Sequence, residues 1–66
     1  MKTINSEELR EAVRNVYEFD QAHGELVDSS DGQFTGNFCE ETYRFNNETR
    51  TYYFEKDFLF AYEDVK

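Results

Sequence analysis

The sequence predicts an α+β domain: one N-terminal amphipathic helix packed on a three- or four-stranded antiparallel sheet. Three observations carry that expectation. Apolar residues recur at helical spacing from Ser6 to about Ala22. Two later stretches, Phe38 to Phe45 and Arg50 to Glu55, alternate with the period of a strand. Seven Phe and five Tyr in 66 residues supply an aromatic core where Leu and Ile are scarce, each buried ring removing roughly 150–250 Å² from water.

The helix comes first. Asn5 reads as its N-cap, with Glu8 completing a capping box and Ile4 and Leu9 forming a hydrophobic staple. With Glu7 at 0° and 100° per residue, Leu9, Ala12, Val13, Val16 and Phe19 fall between about 120° and 240°, one apolar stripe. Glu7, Glu11, Arg14 and Glu18 fall within about 40° of zero, on the opposite face. Asp20 lands in the apolar arc, so the regular helix is expected to end near it. Gly24 is the stop, with His23 in the last turn.

A loop follows. Glu25-Leu26-Val27 reads as a short strand, Asp28-Ser29-Ser30-Asp31-Gly32 as a turn, and Gln33 to Asn37 as the start of the next strand with a bulge at Gly36. Asn46-Asn47-Glu48-Thr49 is hairpin-turn chemistry. Pairing through it places Cys39, Glu41, Tyr43 and Phe45 with Tyr52 and Phe54 on the expected core face, Phe45 and Phe54 being core residues. Phe38, Glu40, Thr42 and Arg44 with Thr51, Tyr53 and Glu55 form the other face. Lys56-Asp57 is a second turn, Phe58 to Tyr62 a strand apolar on both faces, and Glu63 to Lys66 a frayed tail.

The whole chain, 1–66, is expected to be a single domain. A chain of this size buries only about 60% of its unfolded surface, so its stability is marginal. One cysteine precludes an intrachain disulfide, and one histidine precludes a Cys/His metal site. No stretch has the apolar core of a signal peptide or of a membrane span, and a lone cysteine without an export signal is expected to be cytoplasmic. Asn47-Glu48-Thr49 matches a glycosylation acceptor, which has no meaning in that compartment.

Catalysis has little support. His23 and Cys39 form the one conceivable base and nucleophile, and no signature motif or orienting third group accompanies them. No enzymatic role, no metal and no cofactor are therefore expected. Counting a calcium loop from Asp28 puts Gly32 at the fifth position and Cys39 at the twelfth, so that pattern fails.

Charge is the remaining signal. Fifteen acids against seven bases leave a net charge of −8, which disfavours direct binding to nucleic acid or an anionic membrane and favours attraction to basic surfaces. Aromatic residues could stack single-stranded bases, but Glu40, Glu55 and Asp57 lie among those rings. The expected function is that of a small acidic inhibitor or adaptor occupying a basic, normally nucleic-acid-binding surface of a partner protein. Its expected contact residues are Phe38, Glu40, Tyr53, Glu55 and Asp57, with a secondary acidic face of Glu7, Glu11 and Glu18. Carboxylates at i and i+4 on a helix, or i and i+2 on a strand, sit roughly 6–7 Å apart, near the phosphate spacing of one DNA strand. In general profile the chain resembles the small acidic inhibitors made by phages and mobile elements, such as DNA-mimicking antirestriction, anti-CRISPR and uracil-glycosylase inhibitor proteins. The resemblance lies in size and composition, and no motif carries it. The alternative expectation is a homodimer whose acidity serves only solubility, since a strand apolar on both faces needs cover on both.

Overall fold

A computed structural model describes residues 2–31 and 38–65, without the side chains of residues 30 and 31. The chain forms β1 (Lys2–Thr3), α1 (Glu7–His23), β2 (Glu25–Asp31), β3 (Phe38–Phe45), β4 (Glu48–Glu55) and β5 (Phe58–Val65). The strands make one five-stranded antiparallel sheet in the order β1-β5-β4-β3-β2, and α1 lies across one of its faces. The α+β class is as expected, and the sheet is larger than expected. A two-residue β1 has no pattern to read, yet it pairs Lys2 with Tyr62 and Thr3 with Ala61.

The hairpin of β3 and β4 carries the architecture. Asn46 and Asn47 both adopt positive φ, 51° and 67°, the pairing of conformations that a two-residue hairpin of native twist demands and that Asn tolerates. The register that follows sets Cys39 opposite Phe54 and Glu41 opposite Tyr52. Those four residues and Tyr43 therefore share the helix-side face. The core comprises Ile4, Val13, Tyr43, Tyr52, Phe54 and Leu59, with Tyr17, Cys39 and Tyr62 packed against it. Phe54 is buried as expected; Phe45 is only half-buried, edge-on to Phe19 at 5.4 Å.

Several local expectations are corrected. Ser6, not Asn5, caps the helix, its Oγ accepting the Leu9 N–H at 3.1 Å. Ile4 is already committed: its N–H donates to the Phe60 carbonyl at 2.9 Å and its side chain is buried, so the chain can enter the helix only afterwards. The helix does not end near Asp20 but runs to His23, with Gly24 the stop as expected. Asp28 to Asp31 belong to β2 rather than to a turn, paired with Thr42 to Cys39 of β3 after a bulge between Leu26 and Asp28. The local preference persists inside the strand, where Asp28 Oδ1 accepts the Ser29 N–H at 2.9 Å; the ladder to β3 prevails over it. The expected strand start at Gln33 to Asn37, with its bulge at Gly36, lies outside the described residues. Glu63 and Asp64, expected to fray, pair with Thr51 and Arg50.

The largest correction is the roll of α1. Its buried residues are Val13 and Asp20, with Tyr17 half-buried. On the same angular scale these lie between about 220° and 280°, turned well past the centre of the expected stripe. Leu9, Val16 and Phe19 consequently remain 46%, 42% and 48% exposed. The cause lies in the phenols. Tyr17 packs edge-on against Tyr43, Tyr52 and Phe54 at 4.9–5.9 Å between ring centroids. Asp20 enters the interior because polar partners await it there, described below.

Candidate functional site

Two polar clusters sit beneath the helix. Asp20 is 6% exposed; its Oδ2 accepts the Tyr52 hydroxyl at 2.5 Å and an Arg50 N–H at 3.2 Å. Arg50 also donates to Asp64 of β5 at 2.8 Å. In the second cluster, Oε1 of Glu41 accepts the hydroxyls of Tyr43 at 2.5 Å and Tyr17 at 3.2 Å. Burial, followed by the hydrogen bond to Asp20, pushes the pKa of Tyr52 up. Burial, and then the Glu41 bond, does the same for Tyr43. These groups hold α1 to the sheet. A carboxylate that accepts phenol hydroxyls satisfies the buried polar atoms of both partners, so the clusters read as structural.

The His23 and Cys39 pair is not assembled. His23 stacks on Phe19, with Nδ1 3.1 Å from the Phe19 carbonyl oxygen. It precedes Gly24, whose surroundings include the Arg44 backbone. Cys39 lies five residues from Arg44 along β3, about 17 Å of extended chain. It lines a cleft of about 290 Å³ with Arg14, Tyr17, Glu41 and Phe54.

The sheet face away from the helix is a different surface. Phe38, Glu40 and Thr42 of β3 stand beside Glu55, Tyr53 and Thr51 of β4 in direct register. Across β4, Tyr53 is opposite Ala61 and Thr51 opposite Glu63. The ring of Phe38 lies 6.3 Å from that of Tyr53 and 5.6 Å from that of Phe60. Tyr53 donates its hydroxyl to Glu63 at 3.0 Å, and the Thr42 and Thr51 hydroxyls meet at 2.8 Å. Ala61, on this face, is fully buried, because the larger neighbouring side chains close over it. The outer face of β5 is thus partly covered by its own sheet. Burial, the Glu63 hydrogen bond, and the negative charges of Glu63 and Glu40 together push the pKa of Tyr53 up.

Of the expected contact residues, Phe38, Glu40 and Tyr53 come together on this face, with Glu55 exposed at its end. Asp57 does not join them; it lies in the β4–β5 turn, lining the helix-side cleft with Arg14, Glu18 and Lys56. Glu7, Glu11 and Glu18 are all exposed on α1, and Arg14 lies 3.5 Å from Glu18. Phe60 and Glu63 join the outer face although the sequence reading left both out. For Phe60 the signal was obscured by a bulge: the register shifts between Tyr53 and Phe54, so Phe60 is an extra residue between Leu59 and Ala61. Glu63 was expected to fray and instead pairs with Thr51. Phe58 and Tyr62 go elsewhere, under Arg10 and Lys2 at 4.2 and 5.6 Å from their rings.

No helix among the described residues is long and apolar enough to cross a membrane. No protein-family model matches the chain, and comparison with curated proteins and with solved structures finds no match.

Proposed function

We propose that this chain is a small acidic protein-binding inhibitor or adaptor, acting in the cytoplasm without catalysis. It occupies a basic surface on a partner protein that normally handles nucleic acid. The observation that carries the reading is the outer sheet face, where Phe38, Tyr53 and Phe60 lie side by side with Glu40, Glu55 and Glu63. Aromatic anchors supply binding energy and carboxylates steer the encounter. Arg14, Arg44 and Arg50 are each held by a carboxylate of the same chain, Glu18, Glu25 and Asp20 with Asp64. Most of the net charge of −8 therefore resides on the remaining acids, which favours basic partners over nucleic acid itself. DNA mimicry of the phage or mobile-element kind draws its support from this sheet face, because Arg14 interrupts the row of acids on the helix.

The test is capture of a partner from the native host's lysate at low salt, followed by separate elution with salt and with duplex DNA. The reading expects both to release the partner. Release by neither contradicts it.

A second reading, self-association, is favoured by one observation. Leu9, Val16 and Phe19 are each more than two-fifths exposed, and Val16 borders a groove of about 220 Å³ lined by Ala12, Val13, Tyr52 and Tyr62. Exposed apolar patches on small domains often mark interfaces. In this reading a second copy covers the helix and acidity serves only solubility.

A further inference from the structure

The outer face has a finer chemistry than a generic acidic patch. Three rings from three adjacent strands form a shallow tray: Phe38 of β3, Tyr53 of β4 and Phe60 of β5. The ring planes are tilted by 40° between Phe38 and Tyr53 and by 55° between Phe38 and Phe60, so neither neighbour stacks flat on Phe38. Ala61 lies directly opposite Tyr53 and is fully buried. Two carboxylates flank the same tyrosine. Glu63 accepts the Tyr53 hydroxyl at 3.0 Å, and Glu40 pairs with Tyr53 across the ladder.

Ring faces beside carboxylates form a site for a cation. A ring face attracts positive charge through its quadrupole. A planar guanidinium can lie on a ring and still present its fork of donors to carboxylates at the edge, whereas an ammonium is a compact, strongly hydrated point charge. The molecule uses the stacking half of this chemistry internally, where Arg10 Cζ sits 4.2 Å over the Phe58 ring centroid. We propose that the Phe38–Tyr53–Phe60 tray holds an arginine side chain of the partner protein, its guanidinium on the rings and its N–H groups donated to Glu63 and Glu40. The inference rests on the reading of this face as the partner-binding surface, and it names the anchor: a protruding arginine of the kind that basic proteins present to phosphate.

The test is an NMR titration of the isotope-labelled chain with a capped peptide of alternating glycine and arginine, and with its lysine and citrulline counterparts. The arginine peptide should move the resonances of Phe38, Tyr53 and Phe60. It should bind about two- to fivefold more tightly than the lysine peptide, the worth of an exposed cation–ring contact, and the neutral citrulline peptide should not bind. Tyr53→Leu should lose about the same two- to fivefold, while Tyr53→Phe keeps the ring and the preference for arginine. If Tyr53→Leu does not fold, Glu40→Gln and Glu63→Gln test the same site at nearly constant size. Shifts confined to Glu7, Glu8 and Glu11, or equal affinity for arginine and lysine peptides, would overturn the proposal. A captured partner that salt and DNA release but Tyr53→Leu leaves bound refutes the arginine site alone. Arginine-selective binding at the tray, with a captured partner that neither salt nor DNA releases, refutes the broader reading alone.

Discussion

Asp20 of α1 accepts the hydroxyl of Tyr52 of β4 at 2.5 Å, thirty-two residues on in the chain. This bond, with the 3.2 Å contact between the same carboxylate oxygen and Arg50, fixes the rotation of the helix on the sheet. Asp20→Ala should cost about 2–3 kcal/mol, since a buried phenol loses its acceptor while Arg50 keeps Asp64. Tyr52→Phe should cost about 1.5–3 kcal/mol, as expected for one hydrogen bond to a charged group. In urea unfolding the double variant should be less destabilised than the sum of the singles. Additive losses would mean that the two side chains do not interact in solution.

Alkaline pH should weaken the fold. The hydroxyls of Tyr17, Tyr43, Tyr52 and Tyr53 all have raised pKa values, with burial the leading cause in each. A group whose folded pKa exceeds its unfolded value holds its proton more tightly when folded. Its contribution is fully present below the unfolded tyrosine value of about 10 and is lost as pH rises towards the folded value. Thermal melts should be insensitive to these groups near neutral pH and fall steeply above pH ~10, with phenolate absorbance appearing together with unfolding. Titration of these four tyrosines at the free value in a still-folded chain would contradict this.

Packing predicts a graded series. Phe54, buried, should cost roughly 3–5 kcal/mol when cut to Ala, enough to unfold much of a population whose total stability is about 3–10 kcal/mol. Phe45→Ala should cost less, because that side chain is only half-buried. Gly24→Ala should destabilise although the glycine's backbone is extended, at φ −88°. A Cβ there would stand 2.6 Å from the Asp20 carbonyl oxygen and 3.3 Å from that of Arg44, and neither backbone atom can easily move. Equal melting temperatures for Phe45→Ala and Phe54→Ala would overturn the assignment of the core.

What the sequence made legible, and what it did not, follows from which residues have one role. The β3–β4 register was readable because Asn46-Asn47 leaves a hairpin a single good turn and period-two alternation then assigns every face. Phe38, Glu40 and Tyr53 fell together for that reason. The roll of the helix was not readable, because an apolar stripe counts Leu and Val and ignores amphipathic groups. Tyr17 buries its ring while its hydroxyl reaches Glu41, and Asp20 buries a charge that Tyr52 and Arg50 await. Phe60 escaped because a bulge in β5 breaks strict alternation, and bulges leave little trace in a single sequence; Glu63 escaped because a charged C-terminal stretch reads as a frayed tail, whereas it pairs with Thr51.

The exposed helix stripe separates the two functional readings. Replacing Leu9 and Val16 by Gln should leave the fold intact, since both are more than two-fifths exposed, and should leave a monomer unchanged in sedimentation. If the wild-type chain sediments as a dimer at micromolar concentration and these variants as monomers, self-association through the helix is the correct reading.

The most direct test of the central claim is the salt dependence of partner binding in charge-reversal variants. A surface that occupies a basic site by charge should lose affinity steeply as salt rises. Glu40→Lys with Glu55→Lys should weaken binding and flatten that dependence, while Glu7→Lys with Glu11→Lys should chiefly slow association. Binding that is equal at low and high salt, or that survives the sheet variant and is abolished by the helix variant, would contradict the account.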